Sequence, residues 1–165
     1  MVNIVLVEPE IPQNAGNIVR TCAAIKANLY MVKPLGFILD DKHFKRAGMD
    51  YRDFASVQVV DTFQEILDKN KDAKFYYAST KSKHTHTEVT YPDGCFIVFG
   101  KESYGLSETI LKNNYDNCVR IPMSEKARSL NLSNSVAIIA YEAMRQQNFA
   151  GLKNDGELTG RPEND

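Results

Sequence analysis

Short runs of β-branched and aromatic residues alternate along this chain with stretches whose apolar positions recur at helical spacing. Residues 4–7, 29–32, 57–60, 75–78, 96–99 and 119–121 are almost continuously apolar. Runs of that length and composition predict strands buried on both faces. Between them, Ile18, Val19, Cys22 and Ala23 make one helical stripe, and Phe63, Ile66 and Leu67 make another. The second stripe opens with Thr62-x-x-Glu65, a capping box in which each side chain satisfies a backbone N–H of the other's turn. Leu106, Ile110 and Leu111 predict a third helix. The longest is expected over about 133–147, with Val136, Ile139, Ala140, Ala143 and Met144 on one side shared between core and partner. Strands alternating with helices predict the α/β class, a mostly parallel sheet with helices on both faces. Ligands of such sheets sit at the carboxyl ends of the strands, which points to the loops after Val7, Ala78, Phe99 and Ile121.

From Gly151 the chain becomes rich in Asn, Asp, Gly and Glu and loses its apolar period. The expected organisation is a single domain over 1–150 and a polar, disordered tail over 151–165. A length of 165 residues with 43% hydrophobic content suits one packed core. The net charge of −1 means that any nucleic-acid partner must be held by a local cationic patch. Cys22, Cys95 and Cys118 are widely separated and form no CxxC or Cys/His zinc spacing, as expected for reduced thiols in a cytoplasmic protein. The apolar span at the amino terminus is too short for a signal or membrane helix, so no membrane association is expected.

Three polar loops carry candidate chemistry. Residues 128–137, Arg-Ser-Leu-Asn-Leu-Ser-Asn-Ser-Val-Ala, run from a dense set of hydroxyls and amides straight into an apolar helical face. The free N–H groups of the helix start add donors, and Ile121-Pro122-Met123 supplies an apolar wall. The combination suits a part-flat, part-polar ligand such as a nucleoside. Residues 8–20 join the first strand to the first helix. There Pro9 and Pro12 stiffen the loop, Asn14 can cap, Gly16 permits close approach, and Arg20 could reach a phosphate at an anion-favouring helix start. The same residues serve a loop that merely starts a helix. In Phe99-Gly-Lys-Glu-Ser-Tyr-Gly105, Gly100 and Gly105 bracket a turn where a ligand ring could lie on bare backbone beside the Glu102 carboxylate. A plain strand-to-helix turn also explains those glycines. No Walker or dinucleotide fingerprint occurs. Lys81, Lys83, His84 and His86 form one cationic arc, and Lys42, His43, Lys45, Arg46 and Arg52 another. They suit either a phosphate backbone or a solvated face. The two histidines lack a third metal ligand nearby, and no Gly-x-Ser-x-Gly elbow marks Ser129, Ser133 or Ser135 as a nucleophile.

Taken in order, Asn14-x-Gly-Asn-x-x-Arg20, Phe99-Gly-x-Glu-x-x-Gly105 and Ile121-Pro-Met with Ser129-Leu-Asn-Leu-Ser-Asn-Ser135 closely resemble the three motifs of the SPOUT-class RNA ribose 2′-O-methyltransferases. The likeness runs from Ile4 to about Phe149. The opening Val-Leu-Val-Glu-Pro-Glu-Ile-Pro-Gln-Asn looks like the small bacterial enzymes that act on cytidine or uridine 34 of tRNA. The resemblance implies a carboxyl-terminal trefoil knot, against the usual rule of unknotted chains, and a homodimer. It implies S-adenosylmethionine, with no metal, bound by Ala78, Thr80, Gly100, Ile121, Met123, Ser129, Leu130 and Leu132. Ala78 departs from the larger aliphatic residue expected there.

By the same resemblance, catalytic support falls to Arg20, Glu102, Ser129 and Asn131. RNA contact falls to Arg20 and to Tyr141, the latter with a packed helix aromatic as its alternative, and the charge pattern adds Lys42, Lys45, Arg46, Lys81 and Lys83 from the two cationic arcs. The implied reaction is transfer of a methyl group to the ribose 2′-OH of the tRNA wobble nucleotide. A ribose hydroxyl needs its proton removed and its oxygen aligned with the methyl donor. Arg20 suits positioning and electrostatics better than proton removal, since guanidinium deprotonation is very costly. The alternatives are 2′-O-methylation of another tRNA or rRNA position, or a non-catalytic RNA-binding or nucleotide-sensing module.

Overall fold

The computed structural model describes residues 1–38 and 57–158. Lys42, Lys45 and Arg46, with His43 and Arg52, lie outside the described residues. Six parallel strands form one sheet: β1 (Asn3–Val7), β2 (Asn28–Val32), β3 (Val57–Val60), β4 (Phe75–Ala78), β5 (Phe96–Phe99) and β6 (Cys118–Val119), in the order β3-β2-β1-β5-β4-β6. The helices are α1 (Pro12–Ile25), α2 (Phe63–Lys69), α3 (Glu108–Asn113) and α4 (Leu132–Gln146), with a 3₁₀ turn at Tyr115–Asn117. The expected run at 119–121 is shorter as a strand, because Arg120 leaves β4 to pair with Thr85.

Alternation along the central strands splits the core in two. Ile4, Leu6, Ile97 and Phe99 join Ile18, Val19 and Cys22 of α1 and Val136, Ile139 and Ala143 of α4 on one face. Val5, Phe96 and Val98 join Ile66 of α2 and Leu106 and Leu111 near α3 on the other. Both faces are covered, so β5 is apolar throughout and β1 is apolar after Asn3, whereas the edge strand β3 is half exposed. The capping box at Thr62 and Glu65 forms as expected. All five apolar residues of the α4 stripe are buried in this protomer. They leave nothing for a partner, so that part of the sequence expectation is corrected: the side of α4 open to a second chain carries Ile138 and Tyr141 instead.

The chain runs outward from β1 through β2 to β3, then crosses back to β4 and β5 on the other side. The strand order therefore reverses beside β1 and β5, where open α/β sheets present their crevice. At the far end, Phe149 and Leu152 pack on the core, and the Gly151 carbonyl accepts from Lys26 Nζ at 2.7 Å.

Candidate active site

A cleft of about 560 Å³ opens at the carboxyl ends of β4, β5 and β6. Ala78 and Thr80 line it from the end of β4, Gly100 and Glu102 from the loop after β5, and Ile121 and Met123 from the segment after β6. The loop before α4 adds Ser129, Leu130, Asn131 and Leu132, and the β1–α1 junction adds Ile11 and Asn14. Five segments, several of them far apart in sequence, thus meet on one cavity. Arg20 is exposed on α1 and does not line this cleft. Tyr141, 45% exposed on α4, lies outside it as well.

The loops are tied together by a polar chain. Glu102 accepts from the backbone N–H groups of Glu10 (2.8 Å) and Ile11 (3.2 Å) and from Asn14 Nδ2 (2.9 Å). Asn14 Oδ1 in turn accepts from Asn131 Nδ2 at 2.9 Å. Asn131 Oδ1 closes the chain by accepting from the Ser133 and Asn134 N–H groups and the Ser133 hydroxyl, which makes Asn131 the N-cap of α4. Beside this chain, Glu10 accepts from the Ser103 N–H and hydroxyl, and Lys101 pairs with Glu8 at 2.8 Å. Glu8 itself holds a left-handed backbone (φ 53), a conformation that surrounding bonds must enforce.

This geometry corrects three expectations. The chain's own Glu102 carboxylate sits at the start of α1 and takes the N–H groups of Glu10 and Ile11, so those two are not left for a ligand phosphate. Asn14 does not cap: the N-cap of α1 is Ile11, without a side-chain bond, and Asn14 sits inside the helix, buried at 5% exposure. Gly100 does not clear room for a ligand ring, because a Cβ there would meet the carbonyl carbon of Gly105 at 2.0 Å and the Leu106 nitrogen at 2.2 Å. The loop's own backbone occupies that space, folded back by the Gly105 N–H donating to the Lys101 carbonyl at 2.8 Å. The signal for Asn14 was present in the sequence, since it falls four residues before Ile18 on the buried stripe. A polar amide there requires partners.

The cationic arc after β4 is neutralised locally. Lys81 pairs with Glu108, and Lys83 pairs with Asp116 at 2.8 Å. The Lys83 ammonium holds Asp116 below the usual carboxylate range and is itself raised. Both pairs are exposed and individually weak. Arg120 lines the cleft and makes no side-chain ion pair among the described residues. Burial pushes the Cys22 and Cys95 thiols up to about 12, which removes them as nucleophiles near neutral pH.

The profile of the SpoU rRNA methylase family matches residues 1–141 of this sequence. The chain belongs to that family. A Listeria monocytogenes relative assigned as a tRNA (cytidine(34)-2′-O)-methyltransferase is 49% identical over 153 residues, covering 91% of this chain and 90% of its own. The tRNA (cytidine(34)-2′-O)-methyltransferase of Saccharophagus degradans is 45% identical over 154 residues, covering 93% of this chain and all of its own. A structure solved for the 2-OH methylation of C/U34 on tRNA superposes with a TM-score of 0.83 at 39% identity, covering 90% of this chain and 97% of its own. The parallel sheet is therefore the SpoU architecture, and the cleft lies among the three loops singled out by their motifs.

Proposed function

We propose that this SpoU methylase transfers a methyl group from S-adenosylmethionine to the ribose 2′-OH of nucleotide 34 of tRNA. The observation that carries the reading is the convergence of the loops at 78–80, 100–105 and 121–132 on one cleft, in a chain so similar over its length to tRNA (cytidine(34)-2′-O)-methyltransferases. The cleft suits the methyl donor in size, within the about 300–1,000 Å³ of small-molecule sites. It suits it in chemistry too: Ile121, Met123 and Leu132 offer apolar contact to a flat base, and Thr80, Ser129 and the loop backbone offer hydrogen bonds to a ribose and an amino acid group. Bound there, the cofactor supplies an electrophilic sulfonium methyl.

The chain's own contribution is alignment. Glu102, Asn14 and Asn131 fix the three loops to one another, so they act as positioning residues. Arg20, outside its own cleft, serves the RNA through the exposed side of α1. That role draws on a homodimer formed over the exposed sides of α1 and α4, where Ile138 and Tyr141 stand open. We also assign the trefoil knot. In its favour, the segment through Arg120 lies between two neighbours: the Ser79 N–H donates to Val119 on one side, and Arg120 exchanges bonds with His84 and His86 on the other.

The test is transfer of labelled methyl from S-adenosylmethionine to total tRNA, followed by nucleoside mapping. Label at the 2′-O of nucleotide 34 is expected, and Arg20→Ala should abolish it while leaving cofactor binding by calorimetry nearly intact. No label in tRNA, or label at another position, overturns the assignment.

A further inference from the structure

Tyr104 is 85% exposed, yet it lines the cleft. The tyrosines with ring contacts are engaged within the protein: Tyr76 packs on Tyr91, Tyr30 on Phe96 and Tyr77 on Phe63, and the exposed Tyr115 donates to the Lys81 carbonyl under the Lys83 ammonium. Among the described residues, the Tyr104 side chain makes no hydrogen bond and no ring contact. It is nevertheless not on a loose loop. Its turn is closed by Gly105 N–H to Lys101, held at Ser103 by two bonds to Glu10, and anchored at Lys101 by Glu8. An aromatic ring carried open to solvent by a fixed turn at the mouth of a cleft, with the exposed apolar side chains of Ile11 (41%) and Leu130 (38%) on the same rim, offers a flat apolar surface.

We propose that Tyr104 is the stacking platform for one unpaired nucleobase of the RNA, at or next to the nucleotide whose ribose enters the cleft. This deepens the function proposed above and rests on it. A ribose can reach the cleft only if its own base or a neighbour lies at the mouth, and single-stranded bases present open π-faces to aromatic side chains. Because the backbone of the turn is already fixed, only the side-chain torsions of the ring are ordered when the base settles on it. Arg120, on the cleft wall without an ion pair among the described residues, supplies a cation for the adjoining phosphate.

The test compares wild type, Tyr104→Ala and Tyr104→Phe on intact tRNA and on three tRNAs carrying a base-free ribose at position 33, 34 or 35. Loss of one stack is worth roughly 1–3 kcal/mol, so Tyr104→Ala should lower kcat/KM on intact tRNA about five- to 160-fold, mainly through KM. Tyr104→Phe should stay within about twofold of wild type, since the face is kept. On the one RNA that lacks the stacked base, wild type and Tyr104→Ala should become equal. Cofactor affinity and sedimentation should not change. Equal activity on intact tRNA, an undiminished penalty on all three base-free RNAs, or loss of cofactor binding or of the dimer each overturns the platform. Failure of the wild type to methylate tRNA at all overturns the functional reading beneath it.

Discussion

Asn14→Asp is the most discriminating change available in the polar chain that joins the loops. Asn14 is 5% exposed, donates to Glu102 Oε1 at 2.9 Å and accepts from Asn131 at 2.9 Å. An ionised carboxylate at position 14 would set two carboxylate oxygens against each other with no proton between them. At that separation and an effective dielectric of about 20, the repulsion is about 6 kcal/mol. Keeping one carboxyl protonated at pH 7 costs less, about 4 kcal/mol for three units above the ordinary Asp value of about 3.9. The pair therefore holds a proton. In its protonated form the new side chain donates to Glu102 and accepts from Asn131, which reproduces the asparagine.

The folded pair thus binds its proton more tightly than the unfolded chain does, and the stability it retains at low pH is lost as pH rises. The variant should be destabilised by about 4 kcal/mol at pH 7, about 1.5 kcal/mol at pH 5 and almost nothing below pH 4. Against a typical total of 5–15 kcal/mol the first figure is large. Urea unfolding of wild type, Asn14→Asp and the non-ionisable Asn14→Leu across pH 4–7 measures it. The Leu variant should show a penalty flat in pH. The same offset for Asn14→Asp at pH 5 and pH 7 would refute the hydrogen-bonding scheme.

Two further expectations are independent of the reaction. Gly100→Ala should cost about 3 kcal/mol or unfold the protein, because its Cβ meets backbone at 2.0 Å, while Gly156→Ala, with nothing within 4 Å, should leave the melting temperature unchanged; equal melting of the two variants would contradict the folded-back loop. Glu142, only 10% exposed, is held down at about 2 by hydrogen bonds from Arg145 and Gln146. The stability this gives is present above its ordinary value of 4.5 and is lost as pH falls toward 2. Glu142→Gln should flatten acid unfolding between those values, and an unchanged acid profile would rule the contribution out.

The central strands were legible because burial on both faces of a parallel sheet leaves a local mark: residues 75–78 and 96–99 are apolar, and each is a strand over those limits, while the half-exposed edge strand at 57–60 was marked by its three valines. The capping box of α2 is equally local, a matter of two side chains three residues apart. The ion pairs were not legible. Lys81 and Glu108 stand twenty-seven positions apart, and only the packing of α3 beside the end of β4 brings them together. A run of lysines therefore looked like a free cationic arc until its partners were placed.

Sequence by itself determined which residues could form the sheet, which loops carry polar chemistry, and, through the order of three motifs, which family to expect, since each of these depends on residues near one another along the chain. Tertiary structure decided what those residues do. It turned Glu102 inward onto the backbone of residues 10 and 11, placed Asn14 between Glu102 and Asn131, and left Arg20 outside the cleft while holding Tyr104 at its mouth. Hydrogen-bond partners eighty-eight and one hundred and seventeen positions away are set by the strand order, and no local pattern encodes them.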